Sequence, residues 1–360
     1  MDEPAVETIA RLVPALLKAL YALEFTGRHL APQTLLRLIE ALAGRDSDLE
    51  PALAHSRAAD WPERLAPARA CLEAAAEATK ESLATLMSAP DSDQPIVTAY
   101  RAMRGYARAC EQLYPMAPHL RPVSQFFLEA DARQDQARLE LLAAIDPLKP
   151  DVGVVHAGGP AGTRGAYSLY VPETYDPSRA MPLVAALHGG SGNGGAFLWS
   201  WLREARTRGF ILLAPTAAGP TWSLMEPPVD AANITRMLDE IGARWNVDRA
   251  RMLLTGMSDG GTYTYVWGLA AGCPFTHLAP IAAAFHPMLM MTLADADRVR
   301  GLPVHIVHGA LDWMFSARTA QVAEQTLAQA GADVTYRELA DLSHTYPRDE
   351  NGPILDWFLA

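Results

Sequence analysis

Residues 251–261 read RMLLTGMSDGG, and the rest of the chain is organised around them. Arg251 to Thr255 is a short run with β-strand character, broken at Gly256. Ser258 then stands between Gly256 and Gly260, and an apolar, aromatic run from Thr262 reads as a helix. The order is strand, tight turn, helix. On that order G-x-S-x-G is a nucleophile elbow: the serine occupies a strained turn that lifts its hydroxyl out of the sheet, and the flanking glycines leave room for the turn. Five residues with three fixed positions are common by chance, so the meaning of the stretch depends on what lies on either side of it.

Outward from the elbow the chain alternates. Val152 to Ala157 and Ala166 to Val171 are strand-like runs joined by the glycine-rich turn GGPAGTRG, which predicts an opening hairpin. Strands are then predicted at Leu183 to Leu187, Phe210 to Ala214, Arg251 to Leu254, Leu278 to Ala283, Val304 to Val307 and Val334 to Leu339. Helices fall between them near Ala196 to Arg208, Val229 to Trp245, Thr262 to Ala270, Arg318 to Ala330 and Pro353 to Leu359. Near-continuous apolar strands alternating with helices predict an α/β fold, a mostly parallel sheet covered on both faces, with functional groups at the carboxyl ends of the strands.

Chemical candidates stand at those ends. After Leu187 comes HGGSGNGG, His188 to Gly195, whose glycines let backbone N–H groups approach a substrate oxygen. His188 itself is expected to hold this loop rather than to move protons. After Val307 comes HGALDWMF, with Asp312 just past the strand, and after Leu339 comes ADLSHTYP, with His344 in the loop. The chain order Ser258, Asp312, His344 is that of the α/β-hydrolase fold and differs from the orders of chymotrypsin-like and subtilisin-like enzymes. His305 and His308 have a three-residue spacing but no nearby third ligand, so a zinc site is not expected.

The segment WNVDRARMLLTGMSDGG, residues 245–261, resembles the nucleophile region of the poly(3-hydroxybutyrate) depolymerase, feruloyl esterase and acetyl xylan esterase group. The stretch from HGALDWMF through GADVTYRELADLSHTYP to ILDWF is similar to the phospholipase/carboxylesterase and dienelactone hydrolase-like families. The resemblance covers about residues 165 to 360. It implies a serine esterase of the α/β-hydrolase superfamily.

The residue types support the same expectation. Ser258 is the candidate nucleophile, His344 its base and Asp312 the group that orients His344. The oxyanion would be held by the backbone N–H groups of Asp259 and Gly190, with Gly189 as the alternative donor. Trp222, Trp313, His286 and Tyr263 are candidates for lining a substrate pocket, and each could equally be packing. No metal or organic cofactor is required. The expected substrate is a small to medium carboxylic ester. Alternatives are a polyester oligomer such as a hydroxyalkanoate, a feruloyl-type ester, an amide or peptide bond, or a silent fold serving as a binding module.

The first part of the chain is different in kind. Val6, Ile9, Ala10, Val13, Leu16, Leu17 and Leu20 form a helical stripe to about Leu23. Further helices are predicted from Pro32 to Gly44, from a cap at Asp60 to Met87, from Ile96 to Tyr114, and from Val123 to Ile145 with Ser124 as cap. The proline-bearing stretch Asp146 to Asp151 marks a junction, dividing the chain into a helical domain, 1–148, and an α/β domain, 149–360. The helical domain would serve as cap, lid or homo-oligomer contact, with Phe126 and Phe127 the first residues to inspect for a role in a pocket.

Composition narrows the partners. A net charge of −11 leaves no basic face to gather phosphates, which argues against nucleic acid. No apolar run reaches the ~18 residues of a membrane span. An acidic start, MDEPAVETIA, and 3 widely spaced cysteines give the expectation of a cytoplasmic protein with free thiols.

Overall fold

The computed structural model describes residues 3–44, 47–224, 229–286 and 295–360. Two compact units divide the chain, Met1–Leu148 and Lys149–Ala360.

The described part of the first unit is helical: α1 Glu3–His29, α2 Leu35–Leu42, α3 Leu49–Ala58, α4 Ala66–Met87, α5 Pro95–Ala102, α6 Arg104–Leu113, α7 Arg121–Phe126 and α8 Gln136–Ala144. Leu12, Leu16, Leu20 and Leu23 make the buried stripe of α1. The helix runs beyond Leu23 because Thr26, also buried, bonds its hydroxyl back to the carbonyl of Ala22 at 2.8 Å and so carries no unpaired polar group inward. Two long helices expected from periodicity are broken. The Ile96–Tyr114 run divides into α5 and α6 where Ser82 takes the carbonyl of Ala102 at 2.6 Å. Gly105 sits so close to α4 that a Cβ there would lie 2.5 Å from that of Ser82. The Val123–Ile145 run divides into α7 and α8, and the cap is Asp135, whose carboxylate accepts from the N–H of Arg138 at 3.0 Å, with Ser124 inside α7 instead. Asp60 caps no helix; α4 begins at Ala66 after a short 3-10 turn. Phe126 and Phe127 are buried in this unit's own core, edge-on to Tyr21 and Tyr114 respectively.

The second unit is built on one eight-stranded sheet: β1 Gly153–Ala157, β2 Tyr167–Val171, β3 Met181–Leu187, β4 Ile211–Pro215, β5 Val247–Met257, β6 His277–Ile281, β7 Pro303–Gly309 and β8 Asp333–Leu339. Its order is β1-β2-β4-β3-β5-β6-β7-β8. β1 and β2 form the opening hairpin, β2 runs antiparallel to β4, and every pairing from β4 to β8 is parallel. Leu183 to Leu187 and Ile211 to Ala214 are wholly buried, as strands covered on both faces must be. This strand order, with its single reversed second strand and central β5, is the α/β-hydrolase fold. Helices α9 Gly194–Phe197, α10 Leu202–Arg208, α11 Val229–Arg244, α12 Asp259–Gly268, α13 Ala296–Val299, α14 Ala317–Gln329 and α15 Asn351–Leu359 connect and follow the strands. β5 starts earlier than its apolar run, since Val247 already pairs with Met181.

β7 also carries a titratable group unrelated to the strand ends. His305 is buried, its ring lies 5.2 Å from that of Trp357 on α15, and neither ring nitrogen has a hydrogen-bond partner among the described residues. Burial, reinforced by the nearby charge of Arg337, pushes its pKa down to about 4 from an ordinary 6.5. The folded state therefore binds fewer protons than the unfolded one between these values. The stabilising contribution is complete above pH ~6.5 and is lost as pH falls towards about 4, amounting to roughly 3 kcal/mol. His305→Phe keeps a flat ring against Trp357 and removes the protonation site. Urea unfolding at pH 7 and pH 4.5 is expected to show a loss of stability smaller in the variant than in the parent by about 2 kcal/mol; equal losses would contradict the assignment.

Candidate active site

Ser258 sits between β5 and α12 with φ 56° and ψ −120°, a conformation L-residues rarely adopt. The turn is possible because of its glycines. A Cβ on Gly256 would lie 2.5 Å from the carbonyl carbon of Gly260, and one on Gly260 would lie 2.4 Å from the carbonyl oxygen of Leu187. Gly261 is similarly confined: a Cβ there would lie 2.8 Å from the carbonyl oxygens of Gly256 and Ile281. The serine N–H donates to the carbonyl of Ile281 at 2.9 Å, which ties the elbow to β6. Strand, serine and helix are thereby locked into one geometry, and the strain is held by surrounding hydrogen bonds.

The ends of β7 and β8 bring two further groups to this point. His344 Nε2 is 3.0 Å from Ser258 Oγ, and His344 Nδ1 is 2.8 Å from Asp312 Oδ2. The other carboxylate oxygen, Oδ1, accepts from the N–H groups of Met314 and Phe315, both at 2.8 Å. Burial opposes ionisation of Asp312, but hydrogen bonds from His308, His344 and the Phe315 N–H outweigh it and hold the carboxyl well below the usual carboxylate range. An ionised Asp312 can only accept, so His344 carries its proton on Nδ1 and turns the Nε2 lone pair to the Ser258 hydroxyl, which donates. The ring of Phe315 packs edge-on to His344 at 5.3 Å and fixes its plane.

His308 completes the surroundings of the acid. Its Nε2–H donates to the carbonyl of Phe315 at 2.8 Å and lies 3.4 Å from Asp312 Oδ2. The i,i+4 spacing of His308 and Asp312 was visible in the sequence, but only the turn of the loop brings the two together.

The glycine loop after β3 lies alongside. The Cα of Gly189 faces the serine, with a notional Cβ 3.5 Å from that of Ser258. A Cβ on Gly190 would fall 2.5 Å from Asp259 Oδ2, so only glycine fits there without displacing that side chain. His188 is buried and anchors the loop: its Nδ1 meets the carbonyl of Gly189 at 2.7 Å and its Nε2 meets the N–H of Ala217 at 3.1 Å. Because Ala217 can only donate, Nε2 is unprotonated and Nδ1 is the donor. Burial pushes the pKa of His188 down to about 4, in accord with this neutral form.

The segment after β4 straps this loop. Besides the Ala217 contact, Trp222 Nε1–H donates to the carbonyl of His188 at 2.7 Å and Ser191 N–H donates to the carbonyl of Pro220 at 3.1 Å. Thr221 Oγ1 donates to Asp259 Oδ2 at 2.6 Å, and Gly194 N–H to Thr216 Oγ1 at 2.9 Å. Residues 216–222 thus touch both the glycine loop and the elbow. Nothing in the sequence separated Thr221 from any other loop threonine.

The aromatic candidates divide. Trp222 and Tyr263 are buried and stacked on each other, centroids 5.5 Å apart at 17°, within the apolar core. This is the packing alternative that the sequence left open for both, since an aromatic just past a strand can face either core or cleft. Trp313 is exposed beside Asp312, with Leu311 and Met314 also exposed. His286 is exposed at the last described position after β6.

No group of His, Cys, Asp and Glu suited to holding a metal ion occurs among the described residues, and none of their helices is long and apolar enough to cross a membrane.

No family model matches the chain. It is 26% identical over 188 residues to the bifunctional acetylxylan esterase/xylanase of Neocallimastix patriciarum, covering 51% of this chain and 26% of that protein. It is 31% identical over 116 residues to feruloyl esterase C of Emericella nidulans, covering 30% of this chain and 43% of that protein. The chain therefore spans less than half the length of either relative. Among solved structures, a thermostable esterase superposes with a TM-score of 0.45 at 22% identity, over 54% of this chain and 58% of that one. An S-formylglutathione hydrolase from Agrobacterium tumefaciens superposes with a TM-score of 0.46 at 16% identity, over 57% of this chain and 93% of that one.

Proposed function

We propose that this chain, which belongs to the α/β-hydrolase superfamily, is a serine carboxylesterase that hydrolyses small to medium carboxylic esters through an acyl-enzyme. The observation that carries the reading is the unbroken relay from Asp312 through His344 to Ser258, with steps of 2.8 and 3.0 Å, ending on a serine held at the elbow. Ser258 Oγ attacks the ester carbonyl as its proton passes to His344 Nε2. The charge that develops on the carbonyl oxygen is taken by the N–H groups of Asp259 and Gly190, with Gly189 as the alternative. His344 then hands its proton to the departing alcohol. In the second half a water molecule, deprotonated by the same nitrogen, releases the acid. Asp312 keeps His344 in the needed tautomer and offsets its charge when protonated. Trp313 and His286, the two exposed residues among the four pocket candidates, are those proposed to line the substrate site.

The named activities of the two relatives, acetylxylan and feruloyl ester hydrolysis, support a second reading, in which the ester is carried on a carbohydrate. Both readings are tested with one panel of p-nitrophenyl acetate, butyrate and octanoate, acetylated xylan, methyl ferulate, hydroxybutyrate oligomers and an aminoacyl amide. The expected result is the highest kcat/KM on a p-nitrophenyl acetate or butyrate and at least about 100-fold less on the amide, since amides demand more of the leaving-group step. Greater kcat/KM on acetylated xylan or methyl ferulate would transfer the conclusion to carbohydrate-linked esters. Turnover of the amide alone would overturn both.

A further inference from the structure

The strap over the glycine loop has a fastening of its own. Asp230, in the first turn of α11, is buried at 2% exposure, although nothing in its sequence setting marks it out. Its Oδ1 accepts from the N–H of Ala218 at 2.8 Å and its Oδ2 accepts from the N–H of Ser223 at 2.7 Å. Its own N–H reaches Ser223 Oγ at 3.3 Å. One carboxylate therefore grips both ends of the segment 218–223. Between those two grips lie Pro220, whose carbonyl holds Ser191, Thr221, which holds Asp259, and Trp222, which holds the carbonyl of His188.

These contacts bracket the two backbone positions assigned to the oxyanion. Gly190 is flanked by the held carbonyl of His188 and the held N–H of Ser191. Asp259, the other donor, is fixed by Thr221. A short charge-assisted bond to each end of a loop restricts it far more than one bond would, because neither end can swing about the other. The hydrogen-bond donors of an oxyanion site stabilise a transition state only when their positions are set before charge develops.

We propose that Asp230 is a positioning residue for the oxyanion site, acting through the strap 218–223 on Gly190 and Asp259. This rests on the serine-esterase reading above. Asp230 touches no reacting atom, so its removal loosens the donors without altering Ser258, His344 or Asp312. The signature is a loss felt in the transition state and not in the ground state.

The experiment uses the full chain and Asp230→Ala, with kcat and KM on p-nitrophenyl butyrate and the inhibition constant of a trifluoromethyl ketone of matching length. The ketone forms a hemiketal oxyanion on Ser258, whereas the corresponding secondary alcohol forms none. The expected result is kcat lower by about tenfold to 100-fold, KM within about twofold, and ketone affinity weakened by the same factor as kcat, with affinity for the alcohol unchanged. Asp230→Asn keeps the shape and one acceptor oxygen; it should fall between parent and Asp230→Ala, and it decides the matter if the alanine variant fails to fold by circular dichroism. A folded variant with lower Tm but unchanged kcat and ketone affinity would reduce Asp230 to a structural residue and overturn the proposal alone. A parent protein that neither turns over esters nor binds the ketone would overturn the serine-esterase reading and this proposal together.

Discussion

Ser258→Ala is expected to lower kcat on the best p-nitrophenyl ester by about 10⁶ while leaving KM within a few-fold. The magnitude follows from what remains. Without Oγ no acyl-enzyme can form, and His344 and Asp312 have no nucleophile on which to act, so the set fails as a unit. The residual rate is that of water attacking a carbonyl already polarised by the backbone donors, roughly 10³ to 10⁴ above the uncatalysed reaction. The substitution should leave the fold intact, because the positive φ of Ser258 is held by the N–H bond to Ile281 and by the close approach of Gly256 and Gly260, none of which involves Oγ. A variant with normal circular dichroism and only a tenfold loss would mean that another residue carries the covalent step.

Asp312→Asn should cost about 10⁴ in kcat. The reason lies in the two ends of the carboxylate. Oδ1 accepts from the N–H groups of Met314 and Phe315, so an asparagine must turn its only carbonyl oxygen to them. The amide NH₂ then takes the place of Oδ2 and donates towards His344 Nδ1, which must accept in return. That moves the imidazole proton to Nε2, facing Ser258, and the base loses the lone pair it needs. The reverse orientation would give His308 Nε2–H, which also faces Oδ2, an oxygen to donate to, but it would set the amide NH₂ against the two backbone N–H groups of Met314 and Phe315, neither of which can accept. Asp341 and Asp349 are nearer to His344 in sequence, yet both are exposed, and Asp341→Asn is expected to retain kcat within about twofold. The opposite pattern, a small loss at 312 and a large one at 341, would move the orienting role.

Much of this was legible in the sequence because parallel sheets put their chemistry at strand ends. Once β5 and β7 were located by their apolar runs and β8 by the strand-like stretch Val334 to Leu339, Ser258, Asp312 and His344 followed in chain order, and the distances between them are those of hydrogen bonds. The glycines of the elbow were readable for the same reason: each is a place where a Cβ would strike backbone. The length of β5 was harder, since Asp248, Arg249 and Arg251 have the polarity of a loop although the strand already pairs at Val247.

Side-chain direction was the part that sequence could not supply. Trp222 follows a strand just as Trp313 does, but one turns into the core and the other into solvent. Asp230 and Ala218 are brought together by the fold, twelve positions apart, and so are Thr221 and Asp259, thirty-eight apart. No periodicity encodes such meetings. In the helical unit, long apolar stripes hid breaks made by single contacts, such as Ser82 on the carbonyl of Ala102 and Asp135 capping α8.

Activation of Ser258 as a nucleophile by His344 and Asp312 can be read out by intact-mass spectrometry after incubation with a fluorophosphonate. One adduct per chain is expected, mapped to the peptide containing Ser258, and none in Ser258→Ala. An unlabelled parent, or stoichiometric labelling that persists in Ser258→Ala, would rule out Ser258 as the activated nucleophile.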